Sequence, residues 1–292
     1  MGNVSDAIRK RQAEEAARAA AKAAEAASIP AEAPADRSSA AARPAPPEAP
    51  KPPGAAFVVL PRQEATSRNG YSPLLMVHHD RGGTIAEEYR ALRTHLLTEC
   101  GDRGFCYMLT SAEGGEGKTV TTFNLGLVMA ERQDRRTILV DCDLRKGKLS
   151  GLIKAPRSPG LTDVIRGKAA LADVIRPTVY SNLFLVPAGE VSNQEVGELV
   201  TRPELHETLA QLRKQYDYVL LDTAPVNIVA ETAMIGRAVG DALVVVRMNK
   251  TSRDTVSHAI RLLRAAGVNV AGIVLTHRKF HVPRYLYRYR YA

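Results

Sequence analysis

The feature that most limits what this chain can become is a glycine-rich loop set between a short apolar run and a helical pattern. The run FCYMLT (105–110) leads into SAEGGEGKTVTTFNLG, which has the spacing of a helix opening out of a loop. Within it, Ala112 to Thr119 (AEGGEGKT) fits a phosphate cradle, with Ala112 standing where the strict pattern begins with Gly. Gly114, Gly115 and Gly117 let backbone N–H groups turn inward and approach phosphate oxygens with no Cβ in the way. A helix starting there adds its positive N-terminal end. Lys118 is placed to reach the β- and γ-phosphates and the Thr119 hydroxyl to ligate Mg²⁺. The candidate nucleotide-binding residues are Glu113, Gly114, Gly115, Glu116, Gly117, Lys118, Thr119 and Val120.

The rest of the chain fits around that loop. Apolar runs at 105–110, 137–143, 183–188, 216–222, 241–248 and 269–276 alternate with helical patterns at 119–132, 161–175, 194–215, 229–238 and 253–266. A further helix at about 84–98 precedes the first run. Most of the runs are continuously apolar, as in strands buried on both faces. The expectation is an α/β P-loop NTPase fold, a mostly parallel central sheet flanked by helices on both faces. Ligands of such sheets bind beyond the carboxyl ends of the strands.

Two acidic strand ends fall there. The run TILVDCD ends in Asp141 and Asp143, whose period-2 spacing would aim both carboxylates the same way, toward metal handling or hydroxyl activation. YDYVLLD ends in Asp222, placed to hold Mg²⁺ through water. Alone, either could be a helix cap; beside a phosphate loop the catalytic reading of Lys118, Asp141, Asp143 and Asp222 is preferred, with Thr119, Asp141 and Asp222 as the metal set. Cys142, between the acids, is expected to face the core.

Composition bears on the ends of the chain. Residues 1–27 are an Ala/Glu/Lys/Arg segment, either an unpacked tail or a helix that docks on a partner, and 28–70 are a Pro/Ala-rich linker. The folded domain is expected over 71–280 and a tyrosine-rich tail over 281–292. No stretch approaches the roughly 18–20 apolar residues of a membrane span, and no signal peptide is evident. Three unpaired-looking cysteines (Cys100, Cys106, Cys142) suit a reduced, cytoplasmic protein. From Lys250 onward nine Lys/Arg stand against Asp254 alone, a net +8 that would suit nucleic acid, an anionic membrane or an acidic protein. Four of the ten tyrosines, Tyr285, Tyr287, Tyr289 and Tyr291, occupy the last eight residues at every second position. That pattern fits a set of hydroxyl acceptors or, more plainly, a basic edge strand.

Together, SAEGGEGKT, ILVDCDLR and YVLLDTAP resemble the bacterial tyrosine kinases of capsule and exopolysaccharide synthesis, over about residues 75–292. EEYRALRTHL (87–96) is similar to that family's EExRxxRTNL helix, with His95 in place of Asn. GLTDVIRGKAAL (160–171) also resembles family sequence. The resemblance implies ATP and Mg²⁺ as cofactors and autophosphorylation of the tyrosine tail between subunits. It also implies a ring-like homo-oligomer built through Glu87, Glu88, Arg90 and Arg93. The family's membrane-spanning activator has no counterpart here, which implies a stand-alone cytoplasmic kinase recruited to the inner face of the membrane by a separate membrane-spanning activator or chain-length protein; nucleic acid is not expected as a partner. Asn would normally end the strand that here ends in Thr276, which leaves the adenine contact near 276–279 open. The alternative is a partition or division-site ATPase switch of the same fold, but such proteins carry a signature lysine where this chain has Glu113.

Overall fold

The computed structural model describes residues 70–277. The expectations for 1–27, for nearly all of 28–70 and for the tyrosine tail therefore lie outside the described residues.

Along the chain, α1 (Met76–His79) and α2 (Thr84–Cys100) precede β1 (Phe105–Ser111), which leads through the glycine loop into α3 (Lys118–Met129). Then come β2 (Thr137–Asp141), α4 (Leu161–Ile165), α5 (Leu171–Val174), β3 (Arg176–Pro177), β4 (Leu183–Val186), α6 (Val196–Thr201) and α7 (Pro203–Gln215). The domain closes with β5 (Tyr218–Asp222), α8 (Glu231–Val239), β6 (Asp241–Arg247), α9 (Arg253–Ala265) and β7 (Asn269–Thr276).

Two expected helices are each broken in two. In 194–215 the break falls at Arg202, which is extended (ψ 139°) because the ring of Pro203 disfavours a helical residue before it; Pro203 then starts α7, where its missing N–H costs nothing. In 161–175, Gly167 takes φ +69°, which ends the first turn. The strand expected over 137–143 stops at Asp141, so Asp143 lies in the following loop and the period-2 argument for the two acids fails.

The seven strands lie in the order β3-β4-β2-β5-β1-β6-β7, all parallel except the two-residue β3. Chain order and sheet order part company at β1. The next strand, β2, is placed two positions away on one side, with β5 later slotted between them, while β6 and β7 extend the other side. The carboxyl end of β1 therefore faces a crevice at the switch in strand order, where ligands of such sheets bind. Alternating side chains serve two cores. Met108, Val140, Leu221 and Val244 pack with Leu161, Leu212, Ile235 and Leu263 on one face. Leu109, Leu139, Leu220 and Leu243 pack with Leu96, Phe123 and Leu127 on the other. Helices on both faces explain the unbroken apolar runs.

Candidate nucleotide site

The loop after β1 has the backbone of a cradle. Gly115 and Gly117 adopt φ +77° and +96°, conformations that cost a side-chain-bearing residue strain, and Gly117 caps α3. A Cβ on Gly114 or Gly115 would meet nothing within 4 Å, so the loop's mouth is open there. Lys118 is buried, and its Nζ donates to Ser111 Oγ (2.9 Å), which in turn donates to the Glu113 carbonyl (2.6 Å). Burial lowers the Lys118 pKa, opposed by Asp222, Asp143 and Glu116.

Glu116 is the residue whose side chain the sequence reading undervalued. A carboxylate inside an anion cradle makes electrostatic sense only if it points away, and it does. Fully buried, Glu116 accepts from the Glu113 N–H (2.7 Å), the Arg247 N–H (3.2 Å) and the Thr251 hydroxyl (2.5 Å). Thr276 Oγ1 donates to the Glu116 carbonyl (2.7 Å). The loop is thus stapled to the ends of β6 and β7. Thr276, in the place of the Asn expected from the resemblance, has a loop-holding contact of its own.

The acids are brought together differently from the expectation. Asp141 and Asp222 are register partners on adjacent parallel strands, so their carboxyls stand side by side. Both Asp222 oxygens are buried and have no hydrogen-bond partner among the described residues. Burial pushes Asp222 up to about 7, with Thr119 and Lys118 pulling it down and Asp143 pushing it up. Asp141 is raised well above the usual carboxylate range by burial and by Asp222. Its oxygens accept the N–H groups of Asp143 (3.2 Å) and Leu149 (2.9 Å), so Asp141 pins the loop that carries Asp143. Asp143 itself is 9% exposed, against 0% for Asp141. Arg145 leaves this loop to reach Glu231 (2.5 Å) and the Asn193 carbonyl (3.4 Å). Cys142 is buried, and burial raises its thiol pKa.

The chemistry of this donor set fits a magnesium nucleotide. Thr119 is the second residue of α3, at the cradle, and its hydroxyl is near enough to the Asp222 carboxyl to lower its pKa. No cluster of three or more His, Cys, Asp or Glu suited to a metal occurs among the described residues. A magnesium ion at a phosphate loop takes its remaining ligands from phosphates and water, and needs no such cluster.

On α2, the arginines have partners within the chain. Arg90 meets Glu131 through Nε and Nη2 (3.0 and 2.6 Å) and Glu87 through Nη1 (2.5 Å); Arg93 meets Glu131 (2.7 Å) and the Val128 carbonyl (2.6 Å). They clamp the end of α3, the helix that starts at the phosphate loop. Glu88 is exposed.

The profile of the AAA domain matches residues 107–266. The chain is 32% identical over 200 residues to tyrosine-protein kinase CpsD of Streptococcus pneumoniae, covering 68% of this chain and 87% of that protein. It is 33% identical over 190 residues to tyrosine-protein kinase wzc of Salmonella typhi, covering 65% of this chain but 26% of that protein. The chain thus spans about a quarter of the length of its longer relatives. Among solved structures, the kinase domain of Escherichia coli tyrosine kinase ETK superposes with a TM-score of 0.66 at 29% identity, covering 74% of this chain and 86% of that one.

Proposed function

This chain belongs to the bacterial tyrosine-kinase family, and on that premise we propose that it is an ATP-dependent protein-tyrosine autokinase that phosphorylates the Tyr285, Tyr287, Tyr289 and Tyr291 cluster of a neighbouring subunit. The observation that carries it is Asp222, a buried and unpartnered carboxyl beside Thr119 and Lys118, in a chain whose similarity covers 87% of a tyrosine-protein kinase.

In this reading the loop amides and Lys118 hold the phosphates, and Lys118 exchanges its bond to Ser111 for one to the transferring phosphoryl group. Thr119 and Asp222 would hold Mg²⁺, which would supply charge neutralisation at the nucleotide's phosphates. Asp143, at the mouth of the site, orients the incoming tyrosine hydroxyl, and Asp141 keeps the Asp143 loop in place. With a free tyrosine pKa near 10, alignment and charge neutralisation matter more than a strong base. The tail's arginines and tyrosines reach a neighbour's site in a ring assembled through Glu87, Glu88, Arg90 and Arg93. A separate membrane-spanning protein of polysaccharide chain-length control recruits and activates the kinase at the inner face of the membrane. Among the described residues no helix is long and apolar enough to cross a membrane.

The test mixes Lys118→Met chains, which keep their tails, with active chains whose four tail tyrosines are Phe. Phosphotyrosine on the Lys118→Met chains is the expected result. Release of free phosphate with no phosphotyrosine on either chain would instead identify an ATPase switch and overturn the proposal.

A further inference from the structure

The two edges of the sheet differ in a way the kinase reading does not use. One edge is β3, only two residues long and built from Arg176 and Pro177, a short, charged, proline-containing strand that discourages pairing. The other is β7, eight residues (NVAGIVLT) with no charge and no proline. Along it Ile273 and Leu275 are 49% and 59% exposed. The Thr276 carbonyl accepts from the Met248 N–H on the β6 side. In a parallel ladder the N–H and C=O of one residue point the same way and alternate along the strand, so those of Ile273 and Leu275 point outward. A register shift opposite Ala242/Leu243 leaves Ala271 as an extra residue near the start of β7, but from Gly272 to Thr276 the pairing with β6 is regular. An apolar edge whose backbone groups are open among the described residues is a template for another strand, and natural sheets do not leave one bare.

We propose that the edge of β7 is the docking site of the chain's own C-terminal segment, Arg284 to Tyr291, which adds to the sheet as an antiparallel eighth strand and shelves the tyrosines. Connection favours this occupant: the segment begins eight residues after β7, and a flexible link that short raises its effective concentration to the millimolar range. His277 takes φ +57°, turning the chain as it leaves β7. Pro283 lies just before the segment, where a strand tolerates it. The alternation RYLYRYRY has the period of a strand, with every tyrosine on one face.

The register follows from the outward-facing residues. With Tyr285 opposite Leu275 and Tyr287 opposite Ile273, residues 277–283 form the connection, and two tyrosine rings cover the two exposed apolar side chains. The docking needs no kinase activity. Its consequence rests on the proposed function: the docked tail is withheld from a neighbour's site. Each phosphate adds about −1.5 to −2 charges, and on Tyr285 or Tyr287 it would set that charge over the apolar side chains of Leu275 and Ile273, which drives a phosphorylated tail off the sheet.

The experiment follows amide exchange at Ile273 and Leu275 by NMR in the nucleotide-free full chain. It compares the unaltered chain with Tyr285→Pro/Tyr287→Pro, which removes the two N–H groups that would pair with β7, and with Tyr285→Phe/Tyr287→Phe. The unaltered and Phe chains are expected to exchange at least about tenfold more slowly at both amides than the Pro chain, with equal global unfolding midpoints. Equal exchange in all three chains overturns the proposal. So does protection that disappears on dilution, which would show a second copy on the edge. Because no nucleotide is present, failure here leaves the kinase assay, and its own failure, separate.

Discussion

Replacing Glu116 by Gln tests whether the phosphate loop is held by the staple beneath it. The carboxylate accepts three hydrogen bonds, one at Oε2 from the Glu113 N–H and two at Oε1 from the Arg247 N–H and the Thr251 hydroxyl. Glutamine keeps the shape and one oxygen, but its NH₂ group must then face a donor. The least disruptive orientation keeps the Oε1 pair and turns the amide nitrogen toward Glu113, leaving that N–H unsatisfied at about 1–3 kcal/mol. The two remaining bonds lose their charge assistance, about half their strength. The sum is about 2–4 kcal/mol of stability, or about 5–15 °C in Tm for a domain of this size. Scanning calorimetry measures it, and titration with a fluorescent ATP analogue is expected to show at least about tenfold weaker binding, although the Glu116 side chain points away from the phosphates. Thr251→Val removes a single partner and should cost about 1 kcal/mol. A Glu116→Gln protein with unchanged Tm and unchanged nucleotide affinity would refute the staple.

Lys118→Met is expected to lower phosphotyrosine formation at least about 100-fold, while the unfolding midpoint holds or rises, because burial already disfavours this ammonium; phosphorylation at the unaltered rate would remove Lys118 from the site. For Asp222 the sign follows from a folded-state pKa of about 7 against about 3.9 for an unfolded Asp. The folded chain holds this proton more tightly, so the group favours folding at low pH and that contribution is lost as pH rises from about 4 to 7. Asp222→Asn should therefore gain urea stability relative to the unaltered chain across that window. A difference that does not change with pH would contradict the burial argument, and any slope belongs to the coupled Asp141/Asp222 pair. Glu131→Gln releases both Arg90 and Arg93; as the groups are partly exposed, the loss in urea unfolding is expected to be about 1 kcal/mol, and a value near zero would show that the clamp is not stabilising.

What the sequence alone determined was everything set by local spacing. The glycine positions dictate where the backbone turns left-handed and the apolar runs dictate which segments are buried on both sides, whereas the helical periodicity runs straight through Gly167 and Pro203, where the helices in fact break. What only the tertiary structure decided was which distant residues meet. Asp141 was paired with Asp143 on the strength of two-residue spacing, but its neighbour is Asp222, 81 positions away, because β5 inserts between β1 and β2. Arg90 and Arg93 share Glu131, 41 and 38 positions away, a contact no spacing announces, because α2 packs along α3. Glu116 looked like an acid lining the cradle until β6 and β7 brought three donors beneath it. Spacing along a chain encodes the conformation of a few residues, whereas strand order and helix packing are chosen by the burial of the whole apolar surface at once.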